Sequence, residues 1–172
     1  MSDYFALFAL PPRFTIDRAA LDAAYRALQT EVHPDKFAHL DAATQRQAMA
    51  RATEVNDAYQ TLKAPVARGA YLLRQAGIEP FDPANTRMSP AFLMQQMAWR
   101  EQLEDALTAS DMTALEVLED AIGVAHREYE QRIAAQIDAQ ADLTRATETL
   151  RELRFIEKLG EEIQSAFDTI DP

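Results

Sequence analysis

A proline divides the first part of this chain into two helices. Upstream of Pro34, Leu21, Tyr25, Leu28 and Val32 recur at i, i+4, i+7 and i+11. Downstream, Met49, Ala52, Val55, Tyr59 and Leu62 recur at steps of three and four, the spacing of one face of an α-helix. Pro34 lacks the N–H that a continuing helix would use, and it pushes His33 out of the α region. The two helices therefore turn back on each other, and His33-Pro34-Asp35-Lys36 is left on a stiff, exposed loop at one end of an antiparallel pair. A polar loop held on a rigid scaffold suits recognition.

The rest of the chain reads as helix too. Four glycines and eight prolines among 172 residues, with abundant Ala, Leu, Gln, Glu and Arg, favour an all-α fold. Asp3 to Leu10 is a short aromatic turn of helix closed by Pro11-Pro12. Thr15 or Asp17 caps a helix to about Val32, Asp41 caps a long one to about Lys63, and Pro65 to Gln75 forms a fourth that ends at Gly77. Ile78 to Ser89, with Pro80, Pro83 and Asn85, has no helical period and is the domain junction. Ser89 and Pro90 then open a second region of three helices, about Pro90–Thr108, Asp111–Ala139 and Leu143–Ile170. Their short connections predict an up-down three-helix bundle. The expected domains are residues 1–77 and 90–172, joined by a linker at 78–89.

Charge and composition narrow the function. The net charge of −11 argues against nucleic acid as the main partner. It is unevenly spread: residues 1–77 carry +1 and residues 78–172 carry −12, which points to two regions with two kinds of partner. There is no cysteine, so disulfides, thiolate metal sites and cysteine redox chemistry are excluded. No apolar run approaches the ~20 residues of a membrane span. The first residues lack the basic and apolar segments of a secretory signal, so cytoplasm is the expected location, with no membrane partner.

A helix, His33-Pro34-Asp35, and a second helix containing Asn56-Asp57-Ala58-Tyr59 and Leu62 together resemble a J-domain, and the opening Asp3-Tyr4-Phe5 with Leu7 and Leu10-Pro11 fits the same family. Tyr71-Leu72-Leu73, Ala91-Phe92-Leu93-Met94 and the run Glu152 to Leu159 resemble the HscB family, J-domain co-chaperones of bacterial iron–sulfur cluster assembly, over essentially the whole chain. The resemblance implies an N-terminal J-domain, a helical hairpin with two short helices, followed by a C-terminal three-helix bundle. It implies two partners: an HscA-like, DnaK-type ATPase chaperone and an IscU-like cluster scaffold, which the protein would deliver to the chaperone while stimulating ATP hydrolysis there. A general J-protein that recruits unfolded clients is the alternative within this class.

On this resemblance His33, Pro34, Asp35 and Lys36 contact the chaperone. Asp35 can accept a bidentate pair from an arginine, and His33 can donate or accept through either ring nitrogen. The helix before the loop carries Arg18 and Arg26 but also Asp17, Asp22 and Glu31, a thin basic face. Arg26 and Lys36 are the best cationic contacts, with Arg46 and Arg51 secondary; such charges steer association more than they add affinity.

The second surface is read from helical angles. With Phe92 at 0° and about 100° per residue, Gln96, Trp99, Leu103 and Ala106 fall within about 40° and form a core stripe. Leu93, Met97 and Met94 lie near about 100°, 140° and 200°, among Glu104, Glu101 and Asp105. An apolar patch edged by carboxylates has the composition of a partner surface, and methionines adapt to a partner's shape. Phe155 lies well off the buried stripe of the last helix. The resemblance places Leu93, Met94, Met97 and Phe155 in scaffold binding, with Glu101 and Asp105 as acidic partners; Ala98 stands where the family can have another acid. Leu93 and Met97 fit either this surface or a second packing face of the bundle, and Phe155 fits either this surface or a seat against the first domain.

Catalysis is not expected. His33 and Asp35 are two residues apart on a loop with no serine, cysteine or glycine-rich phosphate loop nearby, and a purely structural helical scaffold is the remaining alternative. His33, His39 and His126 have no metal-ligand spacing, and no cofactor is expected; any cluster would stay on the partner.

Overall fold

Helix α1 (Tyr4–Leu7) starts at Asp3, whose carboxylate accepts hydrogen bonds from the amides of Phe5 and Ala6. The computed structural model describes residues 3–37 and 39–170, without the side chain of Pro34. Among these residues it is all-helical, and it divides into two compact units, Met1–Gln75 and Ala76–Pro172.

In the first unit α2 (Arg18–Glu31) is capped by Asp17 and α3 (Ala42–Lys63) by Asp41. Each cap satisfies amides that the first helical turn leaves without partners. The two helices run antiparallel: Arg18 donates to the carbonyl of Lys63, Tyr59 Oη donates to Asp22 at 2.9 Å, and Tyr25 Oη donates to Asn56 at 2.8 Å. The Tyr25 and Tyr59 rings stack with centroids 3.9 Å apart. Asn56 and Tyr59 thus brace the hairpin that presents the loop. Helix α4 (Pro65–Gln75) closes the unit: Tyr71 joins Phe5, Phe8, Leu21, Val55, Ala58 and Leu62 in the core, and its hydroxyl accepts from the Tyr4 amide. Buried Arg68 donates to the carbonyls of Phe14 and Leu62, both at 2.7 Å.

One position departs from the sequence pattern. Met49 is 61% exposed, while Ala48 is buried. Ala48 lies one heptad before Val55, so the seam between α2 and α3 keeps to a narrow seven-residue repeat, and Met49 is turned to solvent.

In the second unit α5 (Pro90–Ala109), α6 (Met112–Ala134) and α7 (Leu143–Ile170) form the up-down-up bundle. Phe92 meets Phe155 and Arg100 meets Glu162, so α5 and α7 run parallel. His126 meets Glu157 and Glu119 meets Gln164, so α6 runs against them. Leu115, Leu118, Ile122 and Ile133 of α6 pack with Leu150, Leu153, Ile156, Leu159 and Ile163 of α7, all nearly without solvent contact. Helix α6 stops at Ala134 rather than continuing to Ala139; residues Ala135–Ala139 widen into a π turn, and Ala141 takes φ +51° to reverse the chain.

The segment before α5 is held to the bundle. Buried Arg151 donates to the carbonyls of Pro80 (2.6 Å) and Arg87 (3.5 Å) and to Asn85 Oδ1 (3.2 Å). Buried Glu152 accepts from the amide and hydroxyl of Ser89, each at 2.8 Å, while the same Ser89 caps α5 through the amide of Phe92. A non-helical stretch therefore has its polar groups satisfied by two adjacent charged residues of α7.

Candidate functional site

The loop is not featureless. Pro34 opens a single 3-10 turn, Pro34–Phe37, which keeps the chain compact where an α-helix cannot continue. The Lys36 amide donates to the His33 carbonyl at 3.0 Å, and the Asp35 amide donates to His33 Nδ1 at 3.3 Å. When Nδ1 accepts, the neutral ring carries its proton on Nε2, free for a partner. The same Nδ1 also lies 3.6 Å from Asp35 Oδ2. His33, Asp35 and Lys36 are all exposed. Their contacts are local, so the loop is shaped by its own backbone and not by burial.

The cations split. Arg26, Lys36 and Arg46 are exposed, whereas Arg51 pairs with Glu54, and Arg18 is engaged by Asp22 and the Lys63 carbonyl. The hydrogen bond from Tyr59 Oη, opposed by burial and helped by Arg18, lowers the Asp22 carboxyl from its ordinary value.

On the bundle, Phe92, Trp99, Leu103 and Ala106 are buried as the angles predict, and Gln96 is half-buried. Met94 is 74% exposed, Met97 69% and Leu93 41%. Leu93 and Met97 are therefore not a second packing face of the bundle: the buried residues of α5 all lie on the Phe92 stripe. Glu101 and Asp105 are exposed on the same side, and Ala98 is half-buried.

Phe155 differs from the exposed residue that its angle suggests. It is half-buried, edge-to-face on Phe92 with centroids 5.7 Å apart. The Arg100 guanidinium lies 5.1 Å from its ring centroid, and both Arg100 nitrogens Nη1 and Nη2 donate to Glu162, at 3.0 and 3.2 Å. One edge of the ring is core and the other is roofed by a fixed cation. Arg100 and Leu93 are about 20° apart around α5, so Phe155 borders the Leu93 end of the patch. Sequence reasoning missed Arg100 because its partner Glu162 comes 62 positions later, and no local spacing announces such a pair. Among the described residues no three His, Asp or Glu side chains gather as a metal site, and no helix is long and apolar enough to cross a membrane.

Known proteins match this arrangement. The family model described as the HSCB C-terminal oligomerisation domain matches residues 88–164. The co-chaperone protein HscB homolog of Azoarcus sp. (strain BH72) is 45% identical over 169 residues, 98% of this chain and 96% of that protein. The homolog of Burkholderia multivorans is 45% identical over 168 residues, 98% and 95% of the two chains. Among solved structures, the chaperone HscB from Vibrio cholerae superposes with a TM-score of 0.86 at 37% identity, covering 98% of this chain and 99% of that one. The human co-chaperone protein HscB gives 0.87 at 32% identity, covering 96% and 82%.

Proposed function

The chain belongs to the HscB family of co-chaperones, with an N-terminal J-domain and a C-terminal helical bundle, and we propose that it brings an IscU-like iron–sulfur scaffold to an HscA-like, DnaK-type chaperone and stimulates that chaperone's ATP hydrolysis. The two tasks divide between residues 1–77 and 90–172. The observation that carries this reading is one chain presenting two unlike surfaces. The first is the polar loop with His33 Nε2 and the Asp35 carboxylate turned outward and Arg26 and Lys36 for steering. The second is the apolar patch of Leu93, Met94, Met97 and the half-buried ring of Phe155, edged by Glu101 and Asp105.

The physics suits each surface to its task. A carboxylate on a stiff loop takes an arginine of the ATPase in a charge-assisted pair, and the hydrolytic chemistry stays in the partner's own site. An apolar patch with a carboxylate rim selects a folded partner whose surface has an apolar centre and basic neighbours. The cluster is the partner's cargo: without cysteine, this chain offers it no thiolate.

Steady-state ATP hydrolysis by the chaperone, with and without the scaffold, tests the proposal. His33→Gln is expected to abolish stimulation while scaffold binding persists. Met94→Ser/Met97→Ser is expected to keep basal stimulation and lose the scaffold's added effect. Tighter binding of an unfolded client than of the folded scaffold would overturn the assignment in favour of a general J-protein.

A further inference from the structure

The groove between α5 and α6 lies beside the surface proposed for the scaffold and shares only Asp105 with it. We propose that it is a docking groove for a basic amphipathic helix of a partner protein. Its geometry comes first. A cleft of about 530 Å³ opens where α5 gives way to α6, between Asp105 and Ala109 on one side and Asp111, Ala114 and Val117 on the other. From it an apolar stripe continues along α6: Ala114, Val117, Ala121 and Val124 step by three, four and three, the seam on which a second helix packs. Val117 is 65% and Val124 47% exposed. Valine is a poor helix former and gains nothing in water, so neither helix propensity nor packing within the bundle accounts for the pair. Ala114 and Ala121 beside them let another backbone approach closely.

Charge selects the occupant. Asp105, Glu116, Asp120 and Glu128 border the stripe, and none of them has an ion-pair partner among the described residues. Arg127, the cation of α6 nearest to them, is exposed and, among the described residues, forms no ion pair with them; its Nη1 lies 3.5 Å from where a β-carbon of Gly123 would stand. The apolar stripe is therefore edged by uncompensated negative charge, and the complementary ligand has short aliphatic side chains on one face and Lys or Arg on the flanks. A second copy of this chain seated here would set Glu116, Asp120 and Glu128 against like charge, so self-association through this face is an outcome that overturns the proposal.

A synthetic amphipathic helix with a leucine–alanine face and lysine flanks is the probe. Its controls are a scrambled peptide of the same composition and an analogue with glutamate in place of lysine. In amide NMR titrations of the full chain, saturable shifts are expected in the second half of α5 and the first half of α6, with neither control matching them. Glu116→Lys/Asp120→Lys/Glu128→Lys is expected to weaken binding about 10-fold or more, and Val117→Ser/Val124→Ser about 5-fold or more. Met94→Ser/Met97→Ser, on the surface proposed for the scaffold, is expected to leave it unchanged, which separates the two proposals. The inference is overturned if shifts centre on Met94 and Met97, if the scrambled peptide binds as well, if no saturable binding occurs, or if sedimentation shows the chain pairing with itself through Val117 and Val124.

Discussion

His126 offers a perturbation whose size and direction both come from the structure. Its Nδ1 lies 2.9 Å from Glu130 Oε1 on the same helix, and its Nε2 lies 3.4 Å from Glu157 Oε1 on α7. Hydrogen bonds to Glu130 and then to Glu157 outweigh partial burial and raise the imidazole from 6.5 to about 9. A protonated ring thus clamps α6 to α7 at neutral pH. The difference between 6.5 and about 9 corresponds at full strength to about 3 kcal/mol. Each of the three side chains is about a third exposed, and solvent screening reduces the figure to about 1–2 kcal/mol. The folded state binds the proton more tightly than the unfolded chain. The stabilisation is therefore complete below pH 6.5 and is lost as pH rises through about 9. The assay is urea unfolding followed by the fluorescence of Trp99, the single tryptophan, which sits in α5 and reports on the bundle. His126→Gln keeps the shape and removes the charge. Wild type should exceed the variant by about 1–2 kcal/mol near pH 6 and converge with it by about pH 10. A gap that is constant across that range, or an imidazole NMR titration with its midpoint at 6.5, would refute the clamp.

Four further variants have defined outcomes. Arg151→Met strands the carbonyls of Pro80 and Arg87 and should cost about 2–3 kcal/mol, with hydrogen-exchange protection lost first in the segment leading to α5. Phe155→Ala should cost about 2 kcal/mol of bundle stability together with scaffold affinity, because the ring packs on Phe92. Met94→Ser should change affinity alone and stability by under about 0.5 kcal/mol; denaturation and calorimetry on the two variants separate the cases. Gly77→Ala should destabilise by about 1 kcal/mol in thermal unfolding, since Gly77 holds φ +80° with open space around it and the cost is backbone strain alone.

The helices were legible because their determinants are local. Asp17, Asp41, Ser89 and Asp111 each cap the helix that follows, through an amide within three residues, and Pro34 and Gly77 act on their own backbone. The apolar patch was legible because one helix carries it: rotating α5 about Phe92 is enough to turn Met94 and Met97 outward. Misreadings arose where a neighbour decided. Met49 satisfies the local period, yet Ala48 takes the inner position because the α2–α3 seam is narrow. Phe155 lies off its own helix's stripe, yet Phe92 of another helix gives it a seat.

What the sequence determined alone, then, is everything set by spacing within about two turns of helix: element type, caps, breaks, and the faces of isolated helices. It also placed the recognition loop, since a proline between two amphipathic stretches allows only a turn. The tertiary structure decided which charged residues are structural. Arg68, Arg151 and Glu152 are buried because carbonyls and a cap distant in sequence satisfy them, and Arg100 is fixed by Glu162 across the bundle. A buried charge is tolerable only when its partners are in place, and those partners meet only after the helices have packed.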